Sequence, residues 1–169
     1  VKSQGVYDDF PFPLVLVAVA VNLSIYALGV GILSGFGTVA AGLFLLYCAG
    51  VEIHVMRSSC VDCCYYGRWC AFGKGKVAPI LFRRGNPERF AARCMSWKNL
   101  LPDMLVLLIP LAGGIVLLVR DFSWGVAAML AALLTLSFGG NYLVRSRIAC
   151  RHCRQRDIGC PAEQLFAKR

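Results

Sequence analysis

Residues 36–70 read FGTVAAGLFLLYCAGVEIHVMRSSCVDCCYYGRWC, an apolar run that passes within a few residues into a cluster of cysteines. A hydrocarbon core of about 30 Å is crossed by about 20 helical residues, and residues 36–55 supply that length with no charge before Glu52. Cys60, Cys63 and Cys70 follow with the spacing C-x2-C-x6-C. The same spacing returns at Cys150, Cys153 and Cys160, each cysteine displaced by one constant offset, and at that offset Arg57 aligns with Arg147 and Gly35 with Gly125. A span leading into a thiol motif, met twice, reads as a duplicated unit.

The rest of the chain fits that reading. It is 58% hydrophobic and only 16% charged, with a mean hydropathy of +0.64, outside the usual balance of a soluble domain. Three further apolar stretches, 13–33, 101–119 and 124–144, are also long enough to span. Glu52, His54 and Asp103 are expected near the headgroups, where charge is tolerated. The first stretch lacks a basic leading segment and a small-residue cleavage site, so it is expected to be retained as a span. The chain starts at Val1, so its true start is expected to be missing or processed.

All but Lys2 and Arg120 of the 18 basic residues lie between the second and third spans or after the fourth. The excess of Lys and Arg on one side places both termini and the central loop in the cytoplasm, in the plasma membrane of a prokaryote. The net charge of +9 is therefore read as topology and as attraction to a bilayer with anionic headgroups. Nucleic acid is not an expected partner, because no aromatic platform or binding fold accompanies the charge. Gly73-Lys74-Gly75-Lys76 lacks the context of a phosphate loop and reads as a basic turn.

The predicted fold is thus an all-α integral membrane protein: four transmembrane helices as a tandem duplication of a two-helix unit, with a cysteine-rich cytoplasmic cap. Residues 1–85 form the first repeat and 100–169 the second. Between them, 86–99 form an interfacial helix linker, started by Asn86-Pro87-Glu88 and carrying Phe90, Cys94 and Trp97 on one face. Parallel repeats of this kind are related by an axis along the membrane normal, which would bring the two motifs together. Gly29, Gly31, Gly113 and Gly114 read as close-packing positions, and Asn22 and Asn141 as helix-to-helix hydrogen bonders.

Apart from Cys48, within the second span, the cysteines would face a reducing compartment, where structural disulfides are rare. Four-span thiol oxidoreductases also carry paired cysteines, but on the outer face. A C-x2-C pair lets two thiolates share an ion, and nearby cations such as Arg57, Arg68, Arg151, Arg154 and Arg156 favour deprotonated sulfur. The expected metal ligands are Cys60, Cys63, Cys70, Cys150, Cys153 and Cys160, with Cys64, Cys94 or His152 completing the four that structural zinc takes. One or two zinc ions would be held. In spacing alone the two triplets resemble the binuclear zinc cluster of fungal transcription factors, but here a membrane hairpin separates the halves. His54, whose counterpart is Val144, reads as a surface histidine rather than a haem ligand.

These features point to a structural or interaction subunit, an adaptor whose metal-ordered cap docks a protein partner; no catalytic residue is assigned. Two alternatives belong to other classes. One is an iron-sulfur electron-transfer protein, since a cubane cluster also takes four thiolates. The other is soft-metal handling or transport, which lacks a ligand pair inside the membrane because Cys48 stands alone.

Overall fold

The computed structural model describes residues 5–86, 89–90 and 97–158. Their regular elements are all helical, and one isolated bridge pairs Tyr7 with Cys153. Helix α1 is Phe12–Leu33, joined through a tight turn at Ser34–Phe36 to α2, Thr38–Ser58. A single turn of 3-10 helix, Cys60–Asp62, follows, then α3, Lys74–Leu81, and α4, Trp97–Arg120. Helix α5 starts as Trp124–Leu134 and runs on, through wider π-helical stretches at Thr135–Gly140 and Val144–Ala149, into a second 3-10 turn, Cys150–His152. The short α6, Gln155–Ile158, closes the described chain.

Four of these helical runs are long and apolar enough to cross a membrane: Phe12–Phe36, Thr38–Asp62, Leu100–Arg120 and Trp124–His152. Their composition explains the length. With few charges to interrupt them, backbone groups that lipid could not satisfy are paired within each helix. Large apolar side chains such as Leu46 and Val119 stand exposed along them, as a lipid-facing surface requires.

By its internal contacts the chain divides into two compact units. One comprises Ala20–Glu52 and Trp97–Tyr142. Its packing depends on close helix approach: a Cβ on Gly29 would lie 2.5 Å from the Phe44 ring and 3.4 Å from Pro110 Cγ, so only glycine lets α1 meet α2 and α4 there. Pro110, inside α4, is fully buried at that contact.

Glu52 is tied to the neighbouring helix. Helix α2 continues beyond it through Ser58, and its carboxylate accepts hydrogen bonds from Tyr26 Oη–H and from Asn22 Nδ2–H at 3.1 Å. The Asn22 reading as a helix-to-helix hydrogen bonder agrees with this, and the acceptor is an acid from the neighbouring helix.

The other unit comprises Val1–Val19, Ile53–Ser96 and Leu143–Arg169. It contains the described members of both cysteine motifs and α3. The segment read as a basic turn is the start of this helix, whose Gly75 approaches the backbone carbonyls of Tyr65 and Arg68 so closely that a Cβ would overlap them. Pro79 within α3 cannot donate to the Gly75 carbonyl one turn back. That carbonyl accepts instead from Gly67 N–H at 2.8 Å, so the short helix and the preceding loop satisfy each other. The linker helix expected at 86–99 falls largely outside the described residues.

Candidate thiol site

Each C-x2-C segment follows the end of a long helix and turns in the same way. Cys63 N–H donates to Cys60 O at 3.3 Å and Tyr66 N–H to Cys63 O at 3.1 Å. In the second segment Cys153 N–H donates to Cys150 O at 3.4 Å and Arg156 N–H to Cys153 O at 3.1 Å. Cys63 and Cys153 both leave the 3-10 turn in an extended conformation, at φ −81°, ψ 149° and φ −84°, ψ 121°. This local geometry is what a C-x2-C pair needs, since it folds the two cysteines of each pair around one turn.

The two turns also exchange hydrogen bonds reciprocally. Cys64 N–H donates to Gln155 Oε1 at 2.9 Å, and Arg154 N–H donates to Tyr65 Oη at 2.9 Å. In each case the backbone of the residue after the second cysteine is held by the side chain one position further along the other turn. Gln155 and Tyr65 are both about 2% exposed, so these partners replace water that cannot reach them. The Tyr65 hydroxyl in turn donates a hydrogen bond to Tyr7 O at 2.6 Å.

Residues 5–10 bind both turns. Tyr7 N–H donates to His152 O at 3.1 Å and Phe10 N–H to Trp69 O at 3.0 Å, while Trp69 N–H donates to Asp9 Oδ1 at 2.9 Å. Arg154 and Asp8 form an exposed ion pair at 2.8 Å. Beneath the segment, Phe10, Val15, Tyr65, Ala71 and Ala149 form an apolar cluster, and Cys63, Cys64, Cys70 and Cys153 pack against it.

Of the expected ligands, Cys63, Cys64, Cys70 and Cys153 therefore share one cluster. Cys60 and Cys150 are half-buried at the starts of their turns. Cys70 Sγ accepts from Gly75 N–H at 3.2 Å. The His152 ring lies 5.0 Å from that of Tyr7 and within hydrogen-bond distance of Gly5 O. Cys94 and Cys160 lie outside the described residues. Among the described residues, no group of three or more His, Cys, Asp or Glu side chains is placed to hold a metal ion.

The thiols are not equivalent. The Cys64 thiol hydrogen-bonds to Cys63 and stabilises its thiolate, bringing the Cys63 pKa down to about 7 although burial works against it. Cys64 is pushed up, first because its proton is committed to Cys63, then by burial. Burial likewise raises Tyr65 and keeps its hydroxyl protonated, as its donation to Tyr7 O requires. The described cysteines carry thiols rather than disulfides. The Cys63 thiol also lies 3.7 Å from Gln155 Oε1, to which it can donate.

Packing of the cysteines beside Tyr65 is a reading the sequence allows, and the structure has it; sequence reasoning missed Gln155, the 7–10 segment and the hydrogen bond of Tyr65 to the second turn. Tyr65 and Gln155 are related by the same offset as the cysteines, and that coincidence was the available signal. The chain matches no family model, no curated protein and no solved structure. What the fold defines is a small all-helical protein with four helices fit to cross a membrane and several cysteines.

Proposed function

We propose that this is an integral membrane protein of a prokaryotic plasma membrane, built from two copies of a two-span unit, whose interlocked cysteine turns form a metal-binding cytoplasmic cap. The cap acts as a structural or adaptor element that docks a protein partner. The observation that carries the reading is the reciprocal exchange, Cys64 N–H to Gln155 and Arg154 N–H to Tyr65, which is what a two-fold relation between duplicated turns would produce. The two motifs then act as one site.

Zinc is the ion that the thiolate spacing favours, one or two per chain. Cys63 and Cys153 are the central ligands, joined by Cys60, Cys70, Cys150 and Cys160, with Cys64, Cys94 or His152 as further donors. The low Cys63 pKa supports ligation, because the metal takes deprotonated sulfur. From the arrangement described, the thiols must close further on the ion. The ion would thereby add to the apolar cluster and hydrogen bonds that already hold the loops.

Elemental analysis of the purified chain tests the proposal. Cys63→Ser and Cys153→Ser should each lower bound zinc while leaving the four spans inserted; metal content unchanged in both variants would sink the assignment. An impermeant maleimide should leave Cys70 unlabelled in sealed cells and label it once the membrane is opened. Ready labelling in sealed cells reverses the orientation.

A further inference from the structure

Helix α3 is amphipathic in an unusual sense. Its inward positions are small, Gly75 and Ala78, both buried, whereas its large apolar residues Val77, Ile80 and Leu81 point outward. Ile80 is 80% exposed. A helix facing water would reverse this arrangement, and a cluster of exposed large apolar side chains marks an interaction surface.

Two observations say what covers it. The first is depth. A Cβ on Gly73, the residue before α3, would lie 3.4 Å from Val15 Cγ1, and Val15 is in the first turn of the run Phe12–Phe36 that is fit to cross the membrane. The Arg145 guanidinium, in the last turns of the run Trp124–His152, lies 5.7 Å from the centre of the Phe72 ring. The start of α3 is thereby pinned level with the ends of two spanning helices, where headgroups meet acyl chains. The second is charge. Lys74, Lys76, Arg83 and Arg84 flank the apolar face, and residues 73–86 contain no acid.

We infer that Val77, Ile80 and Leu81 seat in the headgroup–acyl boundary of an anionic leaflet, with Lys76, Arg83 and Arg84 on its phosphates. The leaflet belongs to the membrane that the four helices cross, so the inference rests on the spanning part of the proposal and is independent of the metal. Interfacial helices bind in this way, through buried apolar area together with attraction of cations to anionic lipid.

The test uses the full chain in lipid nanodiscs, with Trp69, Trp97 and Trp124 replaced by Phe and a single tryptophan introduced by Ile80→Trp. In phosphatidylglycerol discs whose lipids carry bromine high on the acyl chain, the reporter should lose most of its emission. Much of that emission should return in phosphatidylcholine discs, or when Lys76, Arg83 and Arg84 are changed to Gln. A parallel reporter, Leu46→Trp in α2, should be quenched by bromine in either lipid and thereby verifies the spans.

An unquenched Ile80→Trp beside a quenched Leu46→Trp overturns the docking of α3. If both are unquenched, the spanning reading itself has failed. Quenching indifferent to headgroup charge removes the anionic leaflet from the inference. On the unsubstituted chain, α3 amides should exchange hydrogen more slowly in phosphatidylglycerol than in phosphatidylcholine, and equal exchange counts against the docking.

Discussion

The turns at Cys60 and Cys150 have matching backbone hydrogen bonds and contrasting side chains. The first reads Cys-Val-Asp-Cys-Cys-Tyr-Tyr and the second Cys-Arg-His-Cys-Arg-Gln-Arg. Asp62 is buried in one, while His152 stands against Gly5 and Tyr7 in the other. Cys64 gives the first turn an adjacent pair of thiols; its counterpart Arg154 gives the second an ion pair with Asp8. The two turns thus share a backbone scheme and differ in side chains, one carrying adjacent thiols and the other an ion pair with an early residue of the chain.

The largest way to break the comparison is Gly75→Ala. Its methyl would fall on the carbonyls of Tyr65 and Arg68, which are backbone atoms and cannot swing aside. The first turn should lose about 1–3 kcal/mol, the range for overpacking. Hydrogen exchange of amides 63–68 should accelerate; unchanged protection would show that α3 does not support the turn.

Gln155→Leu and Tyr65→Phe come next. Each leaves a partly buried N–H of the opposite turn without its side-chain acceptor, at a cost of about 1 kcal/mol. Because the two bonds join the same pair of turns, the double variant should be non-additive by about 0.5 kcal/mol or more. Strict additivity would mean that the turns are held independently.

The thiol difference is read by pH. In metal-free protein, alkylation of Cys63 by iodoacetamide should rise as pH increases through about 7, because only the thiolate attacks. Cys64 should lag well behind. Cys64→Ala removes the hydrogen bond that stabilises the Cys63 thiolate, so the midpoint should move to higher pH. A fixed midpoint would assign the low pKa to other neighbours.

The smallest effect should come from Asp8→Asn. Both members of the Asp8–Arg154 pair are more than half exposed, and such pairs are worth about 0.2–1 kcal/mol. Salt should erase the difference from the parent protein. A larger, salt-insensitive loss would show that the segment from Gly5 to Phe10 depends on this pair more than on its backbone bonds.

The helices were legible because hydrophobicity over about 20 residues is a local signal. The stretches 13–33, 36–55, 101–119 and 124–144 each fall largely within a helical run of the structure. Their ends were less legible. Helix α2 continues past Val55 through Met56, Arg57 and Ser58, since nothing in those residues stops a helix. The cysteine turns were readable from spacing, and the same offset relates Tyr65 to Gln155, but the partner Tyr7 was not readable, because a lone hydrogen bond between distant segments leaves no periodicity behind. Helix α3 hid behind Gly73, Gly75 and Pro79, residues that ordinarily signal a turn. They are used here for close approach, and the carbonyl that Pro79 releases is taken by Gly67.

The bonds that hold the thiol site connect residues far apart in the order of synthesis. Cys64 waits for Gln155, 91 positions later, and Gly5 for His152, 147 positions later. At about 5–20 residues per second of translation, the first turn emerges roughly 5–20 s before the second exists to meet it. During that interval two more helices long and apolar enough to cross a membrane have to be made. Until then the first turn lacks the side chain that accepts from Cys64 N–H, and its final form waits on a segment made much later.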